Sequence, residues 1–274
     1  MSQAEARLPG LGLSLGIALT YLGIIVLIPL CTIPLKAAAI GWERLFEAAS
    51  SPRALAAYRL SFTTALAAAV VNGFFGLLLA WVLERYPFPG RRLVDGLVDL
   101  PFALPTAVAG ITFTTLFAQA GWLGRYLEPA GIKVAYTPLG VAVALTFVGL
   151  PFVVRTVQPV IRDLPRELEE AAASLGAGRI ETLARIVLPQ LVPATLAGVT
   201  LAFARGLGEY GSVIFIAGNV PMLSEITPLL IVIRLEEYDY EGAAAIALVF
   251  LAVSFASLLL VNVIQNRVRA GRRR

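Results

Sequence analysis

Two charged side chains stand four residues apart inside an otherwise apolar stretch: Arg205 and Glu209, within 191–217. On a helix this spacing places both on one face. A charge at the centre of a bilayer costs about 2.5–3.5 kcal/mol on insertion scales, so such a pair either neutralises itself or lines a water-filled path. Both readings stay open here, a helix-stabilising ion pair or a gate element. Gly206, Gly208 and Gly211 beside them are small enough to let helices pack closely. Enzymatic chemistry is poorly supplied. The chain has no histidine and a single cysteine, Cys31. That leaves no nucleophile–base pair and no His/Cys cluster for a metal. No Gly-x4-Gly-Lys-Ser/Thr phosphate loop occurs, so ATP is not expected to bind this chain in the usual way. An intramembrane enzyme would show paired acids, but Glu209 is the only acid deep in an apolar segment.

The elements that must position these residues follow from composition. Of 274 residues, 58% are hydrophobic and only 15% charged, against about 25% charged in a soluble domain. Mean hydropathy is +0.81. The apolar residues gather in blocks of about 20, the length of a membrane-spanning helix. Six spans are expected, at about 13–35, 60–83, 97–119, 138–157 (broken by Gly149 and Pro151), 191–217 and 243–264. The backbone must satisfy itself in hydrocarbon, so all six are expected to be helices and the fold all-α. The first apolar run is too long for a signal peptide and lacks a small-residue cleavage site. Cys31 falls within it, where a small buried thiol is the default. Residues 37–58 read as one or two short helices on the outer surface.

The net charge of +4 does not indicate nucleic acid, because the basic residues cluster at the ends of apolar runs. With both termini inside, fourteen Lys/Arg lie inside and seven outside. The positive-inside rule therefore predicts a multi-pass protein with both termini in the cytoplasm, anchored by a basic tail over 266–274.

The segment 162–190 is charged and helical in pattern. Asp163 and Pro165 are start signals, and Glu167, Glu169 and Glu170 suit the positive end of a helix dipole. Gly176 supplies a stop. A second helix is expected from about Arg179 to Val187, ending before Pro189. The result is a helix–turn–helix projecting into the cytoplasm.

That segment carries a resemblance. Glu170-Ala171-Ala172, three residues, Gly176, nine residues, then Ile186-Val187-Leu188-Pro189 is similar to the EAA loop of ABC-importer permeases. Residues 58–265 resemble the whole permease core of that family, with 1–57 an added N-terminal helix and outer-surface segment. Ala80-Trp81, Arg85, Phe88, Gly90-Arg91 and the stretch Leu100 to Pro105 agree with it. The run Gly208 to Asn219, with Ser224-Glu225-Ile226 and Tyr238-Asp239-Tyr240, resembles the T-type permeases of sulfate/thiosulfate importers. Molybdate/tungstate importer permeases are the alternative. The resemblance implies the type I permease fold, a bacterial inner-membrane location and coupling helices that dock on an ATPase. It assigns coupling to Glu170, Ala171, Ala172, Gly176, Ile186, Leu188 and Pro189. Glu170 has two readings, a contact to the ATPase or a favourable charge at a helix start. The implied partners are a second permease, two ATPase subunits holding ATP and Mg, and an external sulfate-binding protein. A tetrahedral dianion favours arginine, hydroxyl and backbone N–H donors over acids. On that ground Arg205, Thr106 and Ser212, with the broken backbone around Pro101 and Pro105, are candidate donors or pathway walls.

Overall fold

The computed structural model describes residues 11–271. The terminal positions that carry the topology argument, including Arg7 and Arg272 to Arg274, lie outside the described residues. Among the described residues every regular element is helical. Five helices are long and apolar enough to cross a membrane: α1 (Leu11–Ala39), α3 (Pro52–Arg85), α8 (Pro138–Asp163), α10 (Arg179–Leu207) and the start of α13 (Tyr240–Gly271). Shorter pieces are α2 (Trp42–Ala49), α4 (Arg91–Val98), α5 (Leu100–Ala103), α6 (Thr106–Phe117), α7 (Gly124–Leu127), α9 (Glu167–Ser174), α11 (Gly211–Ala217) and α12 (Thr227–Glu236).

The core is a three-helix contact of α3, α8 and α10. Lipid tails are as apolar as leucine, so tight van der Waals packing through small residues holds such helices together. The α3 stripe Ala65, Ala68, Ala69, Asn72, Gly73, Gly76 and Ala80 is buried at helical spacing. A Cβ added at Gly76 would stand 2.9 Å from Val153, and one at Gly198 would stand 2.7 Å from the Val153 Cα. Outside this core α1 is exposed along nearly its whole length and leans only its second half on α13. Cys31 is therefore exposed and not buried as expected, because among the described residues nothing covers that flank.

The third and fifth expected spans are not continuous helices. The third is divided into α4, α5 and α6, with Leu104 and Pro105 both extended at ψ 134° and 130°. Proline disfavours the helical conformation of the residue before it. The fifth is α10, a break at Gly208 to Tyr210, then α11. The fourth shows the reverse. It runs unbroken through Gly149, Pro151 and Pro159 and extends to Asp163. Packing against neighbouring helices permits proline inside such spans.

The loop also differs in detail. Asp163 ends α8 and does not start the next helix; Leu164 is extended before Pro165, and α9 begins after Arg166. The helix from Arg179 does not stop before Pro189. It passes through a π turn at Leu183–Val187 directly into the long span. A π turn widens the backbone ladder locally, and Pro189 sits in the first turn beyond it. Between the first two spans a single short surface helix, α2, is followed at once by α3.

Candidate functional site

At the end of the bundle that carries α9, the turn at Gly176 is built by hydrogen bonds. Ala177 N–H donates to Ala172 O at 3.0 Å, and Gly176 N–H to Ala173 O at 3.0 Å. This is a Schellman termination, which requires a left-handed residue; Gly176 supplies it at φ +85°. The turn displays apolar side chains rather than hiding them. Leu175 is 89% exposed and Ile180 84%. Ala172 is buried behind them, while Glu170 and Ala171 are exposed. Ile186, Leu188 and Pro189 are half-buried at the base of α10. A cleft of about 370 Å³ between Trp81, Tyr86, Ala173, Ala177 and Thr182 opens beside the turn.

This end is pinned by ion pairs that join residues far apart in sequence. Arg85 Nη2 lies 3.0 Å from Glu169 Oε1 and donates to Leu164 O at 3.4 Å. Arg162 donates to Glu84 at 2.9 Å, and Arg91 lies 3.6 Å from the same carboxylate. Arg155 forks onto Asp99 through Nε and Nη2 at 2.8 and 2.6 Å, and reaches Asp95 Oδ1 through Nη1 at 2.7 Å. Gln158 donates to Asp95 at 3.0 Å. The Asp95 carboxyl is held below its usual pKa, first by the Gln158 hydrogen bond and then by Arg155, against the opposing effect of burial.

In the middle of the chain's helical bundle the break between α10 and α11 is organised by Glu209, whose side chain is 1% exposed. Its Oε2 lies 2.6 Å from Arg205 Nη1. Its Oε1 accepts from Ser212 N–H and Ser212 Oγ, both at 2.9 Å. Glu209 thus caps α11, satisfying an N–H that has no partner within the helix. The α6 helix fits against this turn with no room to spare. A Cβ at Gly211 would run into Thr106 Oγ1, and one at Gly110 would stand 2.5 Å from Ser212 O.

The structure therefore gathers Arg205, Glu209, Ser212 and Thr106 into one place, with Pro105 preceding Thr106 at the break. Pro101 is not part of that group. Its helix packs on α8, where Phe102 meets Phe152 edge to face at 5.3 Å. Sequence reading did not find Asp95, Asp99, Arg155, Gln158 or the pair of half-buried Arg53 and buried Glu225. Arg53 donates to Glu225 through two nitrogens at 2.8 and 2.6 Å. Separations of 56 to 172 residues leave no local spacing to reveal such pairs. Ser224, from the same quoted motif as Glu225, bonds Ala217 O at 2.5 Å and closes the turn after α11, where Gly218 and Asn219 are left-handed.

Residues 72–270 match the family model of the binding-protein-dependent transport system inner membrane component. The fold agrees. Two solved structures of a bacterial ABC transporter for the acidic polysaccharide alginate, one complexed with a periplasmic protein carrying an alginate pentasaccharide, superpose with TM-scores of 0.77 and 0.76. Identity to them is 18% and 19%; each covers 94% of this chain, and 95% and 94% of the matched chains. The chain belongs to this family of inner-membrane permeases, which are transporters and not enzymes. Within it, the chain is 50% identical over 266 residues to the sulfate transport system permease protein CysT of Salmonella typhimurium, covering 97% of this chain and 95% of the relative. The protein of the same name from Synechocystis is 48% identical, covering 91% and 87%.

Proposed function

We propose that this chain is a permease subunit of an ATP-driven importer and forms, with a second permease, the translocation path for sulfate. The observation that carries this reading is half-identity to sulfate permeases along almost the full chain. The α9 turn supports the coupling part. Its small residues, glycine turn and outward Leu175 and Ile180 make a knob suited to a cleft in a separate ATPase subunit. Two such subunits would hold ATP and Mg, and an external sulfate-binding protein would deliver the anion to the other end. The relatives' names favour sulfate over molybdate.

Deletion of the gene tests the substrate. Cells limited to sulfate as sulfur source are expected to lose labelled sulfate uptake, with thiosulfate uptake falling alongside. Undiminished sulfate uptake with molybdate uptake lost would overturn the assignment. Orientation has its own test. The fourteen-to-seven bias in Lys and Arg supports a topology with both termini in the cytoplasm of a bacterial cell. Single cysteines at Ser2 or Arg274, in a Cys31→Ser background, should resist an impermeant thiol reagent applied to intact cells. Labelling of either would reverse the topology.

A further inference from the structure

We propose that Arg155 is a positioning residue that carries movement of the α9 loop to the break in the third span. The inference rests on the transport reading above. Its geometry begins with α8, which runs through Arg155, Gln158 and Arg162 into the Leu164 to Arg166 link and so into α9. Arg85 holds that link from the other side, through Leu164 O and Glu169. Whatever displaces α9 therefore pulls on the end of α8.

What α8 can pull in turn is the arm formed by α4 and α5. This arm's apolar fastening is limited to Val98, Val94 and the Phe102–Phe152 ring contact. Val98 is the single buried residue of α4, α5 has none, and Leu93, Leu97 and Phe102 are exposed. Its polar attachment to α8 is the Arg155 fork on Asp99 and Asp95, including a bond from Nη2 to Asp95 O at 2.8 Å, with Gln158 alongside. A guanidinium fork is directional and holds a carboxylate in one orientation, which an ammonium does not. Asp99 also immediately precedes α5, and the two residues directly after α5, Leu104 and Pro105, are extended. Thr106 follows, pressed on Gly211 beside the Glu209–Arg205 pair. Arg155 thus stands between the loop and the place where Arg205, Glu209 and the broken backbone of the third and fifth spans come together.

A double-mutant cycle in the reconstituted complex tests it, with second permease, ATPase and binding protein present. Arg155→Gln, Asp99→Asn and the double variant are compared by sulfate taken up per ATP hydrolysed. This ratio is read on assembled complex and does not move with yield. Each single variant is expected to lower the ratio about tenfold, within the range of ordinary coupling energies. The double variant should be no worse than the poorer single, because both remove one interaction. Arg155→Lys should recover part of the loss at most. Ratios equal to wild type in both single variants, or independent losses that multiply, would overturn the proposal. A purely structural role would lower assembled yield with the ratio intact, which also overturns it. If the unaltered complex imports no sulfate, the transport reading itself fails first.

Discussion

Gly176→Asp is expected to abolish most sulfate uptake while the protein still inserts and folds. Nothing lies within 4 Å of a Cβ built at this glycine, so no clash inside the chain unfolds it. The effect comes from two other sources. The backbone is held at φ +85° by the Schellman bonds, and a left-handed residue with a side chain costs about 1–2 kcal/mol, less for Asp than for Ala. The new carboxylate also stands between Leu175 and Ile180, the two most outward apolar side chains of the turn. A docked partner would bury that charge unpaired, which is far more costly than the strain. Together these should lower uptake by about thirtyfold or more. Gly176→Ala adds the strain without the charge and should lose only about fivefold. Copurification of the ATPase subunit with each variant, together with uptake in vesicles, separates the two causes. Ordinary ATPase association and uptake in Gly176→Asp would remove this turn from the docking surface.

The sequence made the long spans legible because their signal is composition, and composition does not depend on what the helix touches. Five of the expected spans contain a long helix, four of them at nearly the expected place and the fifth ending early at Leu207. The two that are interrupted, at 97–119 and at the end of 191–217, break where local chemistry overrides hydropathy. Leu104-Pro105 breaks one through proline's steric demand on its predecessor. Glu209 breaks the other by taking the Ser212 N–H. Gly149 and Pro151 look like equally good breakers, yet α8 ignores them, because they are packed in the three-helix core. The same limit applied at the site. Gly176 was readable, since a turn glycine acts within its own few residues. The partners of Arg155 and Arg53 were not, since tertiary contact alone brings them together.

Charge reversal at the α10–α11 break is expected to destroy function, although the ion pair taken alone would tolerate it. Exchanging Arg205 and Glu209 by Arg205→Glu with Glu209→Arg preserves one cation and one anion four residues apart. If the pair served only to neutralise charge, transport would survive. Glu209 does more than neutralise. Its second oxygen accepts both hydrogen bonds of Ser212, and both residues are buried. An arginine at 209 has no acceptor, so the Ser212 N–H would face other donors, and the longer side chain would crowd the turn where Gly211 meets Thr106. Glu209→Ala should cost about 1–3 kcal/mol, because it leaves the buried Ser212 donors without an acceptor; it also takes the carboxylate from Arg205, which is partly exposed and has no other partner among the described residues. Glu209→Gln keeps an acceptor for Ser212 and should be the mildest of the three. The expected order of folded protein recovered in detergent is Gln, then Ala and the exchange, with uptake following the same order. Full uptake in the exchanged protein would show that only charge balance matters at this site, and would also dismiss a specific gating role for either residue.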